Sequence, residues 1–151
     1  MGELRRILIA EDNEADLELT LTALAEHKLV NEVVVVRDGV EALDFLYRRG
    51  PFADRPPGNP AVVLLDLKMP RVDGIDVLRQ VKQDPALRSI PIVMLTSSRE
   101  ESDLVDSYRL GANAYVVKPV DFAHFVEAVQ QVGIFWALVN EPPPGSAPRP
   151  R

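Results

Sequence analysis

Residues 62–74 read Val-Val-Leu-Leu-Asp-Leu-Lys-Met-Pro-Arg-Val-Asp-Gly. The first four residues are all apolar, which is typical of a central strand buried on both faces of a parallel sheet. Asp66 follows at the carboxyl end of that strand, where open parallel sheets place their ligands. Pro70 and then Asp73-Gly74 predict a sharp turn beneath Asp66, with Gly74 in a backbone conformation of positive φ.

Four other short apolar runs predict strands, and longer stretches of helical period separate them. These runs are residues 7–10, 33–36, 92–95 and 114–117. Short strands that alternate with helices imply a parallel sheet covered by helices on both faces. We therefore predict an α/β fold, a doubly wound five-stranded parallel sheet of the (βα)5 type with the flavodoxin-like order 2-1-3-4-5.

Charged side chains follow three of these strands. Glu11 and Asp12 come after the first, Asp66 after the third and Lys118 after the fifth. The carboxyl ends of parallel strands meet at one edge of the sheet, so three carboxylates would converge on one ammonium. Like charges that close repel by roughly a few kcal/mol each at an effective dielectric of about 20. Such a cluster indicates a site that binds a divalent cation such as Mg²⁺ or shares protons.

Two further strand-end residues suit a negatively charged ligand. The Thr96 hydroxyl, after the fourth strand, can donate a hydrogen bond to an oxyanion. The Lys118 ammonium can neutralise a phosphoryl group as a point charge. The Lys118-Pro119 bond can be cis, because an Xaa-Pro bond costs only about 0.5–1 kcal/mol in that form.

The composition excludes several classes of protein. The chain has 151 residues, with 17 Lys and Arg against 23 Asp and Glu, and so a net charge of −6. This balance argues against direct binding to nucleic acid or to an anionic membrane as the main role. The absence of cysteine excludes disulfides and thiol chemistry. There is no signal-peptide core and no apolar run long enough to span a bilayer, so we expect a cytoplasmic protein.

These elements, in this order, resemble the CheY-like receiver domain of two-component response regulators. The resemblance covers residues 7 to about 132. The motifs that carry it are Glu11-Asp12, Asp66 with Pro70 and Asp73-Gly74, Thr96, and Lys118-Pro119. The resemblance also implies that the turns around the site are formed by Pro70, Asp73, Gly74 and Pro119.

The resemblance implies a role for each site residue. Asp66 would be the phosphoacceptor, and Lys118 would contact the phosphoryl oxygens. Thr96 and Tyr115 would form a conformational switch after phosphorylation. The Mg²⁺ ligands would be Asp12 directly, Glu11 through water, Asp66 and the backbone carbonyl of Lys68.

The chain also suggests a domain organisation and an output. We expect a receiver domain over residues 1–139 with an extended last helix, and a disordered Pro-rich tail over 140–151. No output domain is expected. The last helix is too apolar at its end to remain in water, so we predict a homodimer that also uses the fourth helix and fifth strand. Its candidate contacts are Phe125, Val129, Val132, Phe135 and Trp136, although residues 122–129 also fit packing on the sheet.

Residues 50–60 hold four of the 13 prolines and are predicted to be neither helix nor strand. They would form an ordered loop, either a tolerated insertion or a contact segment. Three features together resemble those of single-domain regulators that pair with bacterial phytochrome kinases. They are this loop, residues 84–91 and Phe135-Trp136. The predicted function is therefore a stand-alone response regulator that accepts a phosphoryl group from such a sensor histidine kinase and is not itself an enzyme.

Three other classes of protein share part of this pattern. A phosphatase of the haloacid-dehalogenase type needs a second Asp where this chain has Lys68. A flavodoxin-like flavin carrier needs a phosphate-binding loop after the first strand, where Glu11, Asp12 and Asn13 would repel phosphate. A receiver-like scaffold that works without phosphorylation would not need the full acidic set with Thr96 and Lys118.

Overall fold

The computed structural model describes residues 6–25, 32–96 and 109–131. Five strands and four α-helices lie in these ranges. The strands are β1 (Ile7–Ala10), β2 (Val33–Val36), β3 (Val62–Asp66), β4 (Ile92–Thr96) and β5 (Ala114–Val117). The helices are α1 (Glu14–Ala25), α2 (Gly39–Tyr47), α3 (Gly74–Gln83) and the final helix (Phe122–Gln131).

The strands form one parallel sheet in the order β2-β1-β3-β4-β5, as the sequence predicts. The register aligns the carboxyl ends of the strands. Ala10 lies opposite Leu65, and Thr96 lies opposite Val117. The next residues along β1, β3 and β5 therefore emerge at the same edge of the sheet.

Helices cover both faces of the sheet. Alternate strand residues point to opposite faces, so neighbours such as Leu64 and Leu65 belong to different halves of the core. One half packs against α2 and α3, and the other packs against α1 and the final helix. All five strand residues from Val62 to Asp66 are buried, which agrees with the prediction of a central strand.

The 50–60 segment differs from the prediction in one respect. Gly50–Phe52 forms a turn of 3₁₀ helix, with Pro51 near its start. Proline fits there because the first amide groups of a helix have no partner within the helix. The Phe45 and Phe52 rings then meet edge to face, with their centroids 5.3 Å apart.

Two arginines anchor the rest of this segment to the core. Arg55 Nε donates to the Phe45 carbonyl oxygen at 2.7 Å, and its guanidinium lies 4.2 Å from the centroid of the Phe45 ring. Arg6, just before β1, donates to the carbonyl oxygens of Pro57 at 3.1 Å and Gly58 at 2.9 Å. The loop is therefore ordered, and Arg55 adds a hydrogen bond to a carbonyl in the last turn of α2.

The final helix begins at Phe122 and is described as far as Gln131. Phe125 is only 2% exposed and packs into the core, so its assignment to a dimer surface is wrong for this structure. The reason is helical period, since Phe125 and Ala128 share the face that covers the sheet. The Val129 side chain, Val132, Phe135, Trp136 and the 140–151 tail lie outside the described residues.

Among the helices of the described ranges, none combines the length and the apolar character that a bilayer crossing needs.

Candidate functional site

The charged site lies where β1, β3 and β5 end. Lys118 Nζ is 2.8 Å from Glu11 Oε1, 3.0 Å from Asp16 Oδ2 and 3.3 Å from Asp66 Oδ1. Glu11 is fully buried, and Asp66 and Lys118 are almost so. The structure thus brings together the strand-end carboxylates and the ammonium that the sequence singles out.

Asp16 is the site residue that sequence reasoning missed. It lies in the first turn of α1, which Asn13 caps by accepting a hydrogen bond from the Asp16 amide at 2.9 Å. The signal was present in the spacing, because an acidic residue three positions after an N-cap is common in a first helical turn. Only the packing of α1 shows that this carboxylate faces Lys118.

An acidic triplet offers ligands for a divalent cation. Glu11, Asp12 and Asp66 each supply a carboxylate oxygen, and these oxygens all lie within 4.8 Å of one another. Asp12 is exposed, so the triplet opens to solvent on one side. Glu11 Oε1 is buried and has no well-aligned hydrogen bond, although it forms the ion pair with Lys118. Hard oxygen ligands with unused capacity fit a cation of the Mg²⁺ or Mn²⁺ type.

The electrostatics of Asp66 support the same interpretation. Burial, together with a hydrogen bond and the negative charge of Glu11, raises the pKa of Asp66 to about 7, although Lys118 acts in the opposite direction. Burial would by itself lower the pKa of Lys118, but its contacts with Glu11, Asp16 and Asp66 raise the pKa overall. The site therefore holds more negative charge than one ammonium neutralises, and a bound cation would correct that imbalance.

The turn beneath Asp66 depends on a close approach of backbone rather than on a positive φ. The prediction for Gly74 is wrong in this respect, because Gly74 begins α3 without a positive φ. A Cβ at this position would lie 2.0 Å from the Asp66 carbonyl oxygen, so glycine is required for steric reasons. Asp73 caps α3 by accepting from the Asp76 amide at 2.9 Å, and it is Arg71 that has the positive φ, at 66°.

The two predicted switch residues lie on neighbouring strands. Thr96 is buried at the end of β4, and its carbonyl oxygen accepts from the Lys118 amide at 2.7 Å. Tyr115 lies opposite Met94 in the register and is half-buried on the α2–α3 side of the sheet. Residues 94 and 96 share a face, so the side chains of Thr96 and Tyr115 belong to the same side of the sheet.

Two other sequence predictions concern the edges of the site. The Lys118-Pro119 peptide bond is cis, a form that the sequence permits. The backbone carbonyl of Lys68 remains a predicted metal ligand. His124 is exposed on the final helix, where Asp121 accepts from its ring nitrogen at 2.7 Å, and it lies apart from the charged site.

Comparison with known proteins places this geometry in a family. The family model of the response regulator receiver domain matches residues 7–130 of this chain. Response regulator Rcp1 of Synechocystis sp. is 38% identical over 130 residues, which are 86% of this chain and 87% of Rcp1. A structure of Rcp1 in its Mn²⁺-bound form has a TM-score of 0.74, at 36% identity over 93% of this chain and 99% of that one.

Two solved structures are more similar. The bacteriophytochrome response regulator RtBRR is 64% identical and has a TM-score of 0.84, with 95% of this chain and 87% of that chain covered. The bacteriophytochrome response regulator AtBRR is also 64% identical, with a TM-score of 0.85 and coverage of 93% and 100%. The family match covers most of the chain and agrees with the sheet order and the strand-end charges. This chain therefore belongs to the response regulator receiver domain family.

Proposed function

We propose that this protein is a response regulator that accepts a phosphoryl group on Asp66 from a histidine kinase of the phytochrome type, in a Mg²⁺-dependent reaction. The observation that carries the proposal is the position of the Asp66 carboxylate, 3.3 Å from Lys118 Nζ and beside the acidic triplet. The pairing with a phytochrome kinase is supported by the 64% identity of this chain with two bacteriophytochrome response regulators, RtBRR and AtBRR.

The chemistry that this site must perform is an in-line displacement at phosphorus. A carboxylate oxygen of Asp66 forms the new bond to phosphorus while the bond from phosphorus to the donor breaks. The transition state is loose and carries its charge on the equatorial oxygens, so positioning and positive charge provide most of the catalysis. Lys118 supplies one positive charge from its buried position. Mg²⁺, held by Glu11, Asp12 and Asp66, would supply the rest.

Signalling would follow from a change in packing. After phosphorylation, Thr96 would donate its hydroxyl to a phosphoryl oxygen, and Tyr115 would move toward the space that Thr96 leaves. Their shared face of the sheet supports such a coupling. A modest shift between two conformations is sufficient as an output.

We further propose that the protein is not an enzyme acting on external substrates and does not bind nucleic acid directly. Lys68 stands where a phosphatase of the rival class would have its second acid, and the net charge of −6 disfavours contact with nucleic acid. The cytoplasmic location stays a prediction.

A homodimer through the end of the final helix, with Phe135 and Trp136, is the predicted assembly. Light scattering at tens of micromolar should give twice the monomer mass. A monomer in both the unmodified and the phosphorylated protein would exclude this assembly.

The direct test of the function is intact mass after incubation with acetyl phosphate and Mg²⁺. The wild type should gain one phosphoryl group, and Asp66→Asn should gain none while keeping its fold by circular dichroism. EDTA should prevent the gain in the wild type. An acyl phosphate at another residue of the Asp66→Asn variant would refute the assignment. No gain in the wild type would leave either a strict requirement for the kinase or a scaffold that works without phosphorylation, and Mg²⁺ titration would then show whether the acidic site binds metal.

A further inference from the structure

Lys118 is held by three carboxylates, and the phosphoacceptor is the most distant of them. Its ammonium donates a hydrogen bond to Asp16 Oδ2 at 3.0 Å, whereas Asp66 Oδ1 lies at 3.3 Å. Glu11 Oε1 is the nearest atom at 2.8 Å, without a well-aligned hydrogen bond. Asp16 thus contributes a well-formed hydrogen bond to the ammonium that the phosphoryl group would need.

Asp16 is fixed in place by its own helix. Its amide donates to the Asn13 side chain, and its carbonyl oxygen accepts from the Thr20 hydroxyl at 3.0 Å. The following residue, Leu17, is buried against the sheet, so the first turn of α1 cannot drift away from the site. The Asp16 carboxylate is therefore a fixed acceptor on an element that carries neither the phosphoacceptor nor Lys118.

Lys118 has three donors to share. A phosphoryl group on Asp66 adds three strong acceptor oxygens, and the donor that now faces Asp66 can serve only one of them. A second phosphoryl contact therefore requires Lys118 to withdraw from Glu11 or from Asp16. Glu11 is fully buried, and water could not replace the ammonium there without a desolvation cost. The Asp16 side chain is 31% exposed, so water can take the place of the ammonium at that carboxylate. Asp16 is thus the partner that Lys118 can leave.

We infer that Asp16 is a positioning residue that holds Lys118 in the unphosphorylated protein and competes with the incoming phosphoryl group for its ammonium. The inference rests on the proposed function, because it concerns the same phosphoryl transfer. It gives Asp16 a definite direction of effect. The Asp16 carboxylate slows phosphorylation, and its loss makes Lys118 more available to the phosphoryl oxygens.

The test is the rate constant for phosphorylation at saturating acetyl phosphate and Mg²⁺, measured by intact mass. Asp16→Asn keeps the shape of the side chain and removes its charge. It should raise the rate constant about two- to fivefold, which is the range that a partly exposed ion pair supports. Asp16→Glu restores the carboxylate and should return the rate toward that of the wild type, which a purely structural role for residue 16 would not require.

A matched variant separates this contact from a general effect of charge. Glu18→Gln removes one negative charge from an exposed position on the same helix. Any repulsion of the anionic donor by α1 should disappear at about 1 M salt, where the Debye length is about 3 Å. The acceleration in Asp16→Asn should persist at that salt concentration, and Glu18→Gln should then match the wild type.

The outcomes separate this inference from the proposed function. A phosphorylated wild type with an unchanged or slower Asp16→Asn overturns the competing role of Asp16 and leaves the function standing. Equal acceleration in Glu18→Gln at high salt also overturns it, because the effect would not require contact with Lys118. A wild type that gains no phosphoryl group, either from acetyl phosphate or from a histidine kinase of the phytochrome type, contradicts the proposed function itself, and the role of Asp16 falls with it.

Discussion

Asp38 and Arg71 form an ion pair that joins the start of α2 to the turn behind Asp66. Arg71 Nη2 lies 2.7 Å and its Nε 2.8 Å from Asp38 Oδ2, while Asp38 Oδ1 accepts from the Glu41 amide at 2.8 Å. One carboxylate therefore caps a helix and holds an arginine whose φ is 66°. The β2–α2 connection thus supports the loop that leaves the phosphoacceptor.

Replacing Asp38 should destabilise the fold. Asp38→Ala removes both the helix cap and the partner of Arg71, and we expect a loss of about 1–2 kcal/mol in the free energy of unfolding. Urea denaturation measures this loss. Asp76→Ala breaks the exposed pair with Arg79 and should cost no more than about 0.5 kcal/mol. Equal costs for the two variants would show that the link from Asp38 to Arg71 contributes nothing beyond a surface pair.

The same carboxylate should make stability depend on pH in acid. Burial alone would raise the pKa of Asp38, but hydrogen bonds from the α2 backbone and from Arg71 outweigh burial and lower it. A depressed pKa contributes stability that is present above the unfolded value of about 3.9 and is lost as the pH falls through the lower folded value. Asp38→Asn keeps a good cap and removes the charge. Its stability deficit in urea should be full near pH 6 and should shrink as the pH falls below the unfolded value of about 3.9. A deficit independent of pH would contradict the assignment.

Gly74→Ala should disrupt the phosphoacceptor loop. In most helices this change is favourable by about 1 kcal/mol, but here the new methyl group would lie 2.0 Å from the Asp66 carbonyl oxygen. Relief of that clash requires backbone movement, so we expect a loss of about 3 kcal/mol or more, and slower phosphorylation of the folded fraction. Thermal unfolding and intact mass measure the two effects. A fully stable and active variant would mean that the approach of α3 to Asp66 is not required.

Mg²⁺ binding should depend on pH near neutrality. Burial and Glu11 raise the pKa of Asp66 to about 7. Without metal, folding therefore takes up a proton between about pH 4 and about pH 7, and the free energy of unfolding falls as the pH rises through this range. A metal ligand must be deprotonated, so Mg²⁺ and the proton compete. The Mg²⁺ affinity should increase about tenfold between pH 6 and pH 8.

Calorimetry in two buffers of different ionisation enthalpy would count the protons released on Mg²⁺ binding. For each Mg²⁺ bound, the wild type should release close to one proton at pH 6 and almost none at pH 8. Asp66→Asn should bind Mg²⁺ more weakly and without this proton release. Equal release from the variant would place the titrating group elsewhere.

Much of the site follows from local sequence. An apolar run such as residues 62–65 forms a buried strand wherever the chain places it, and a charged residue after such a run emerges at the carboxyl edge of a parallel sheet. The order of the strands then brings Glu11, Asp66 and Lys118 together. Local patterns alone therefore predict the sheet, the edge on which the site lies and most of its charges.

Other contacts depend on how the layers of the fold pack, and local sequence does not predict them. The Asp16 carboxylate contacts Lys118 only because α1 packs on the sheet. Gly74 is required only because α3 approaches the Asp66 backbone. Phe125 is a core residue because the final helix turns that face toward the sheet. Local patterns fix which element a residue belongs to, but distances between elements arise from packing of the whole chain, where a shift of 1 Å separates an ion pair or removes a clash.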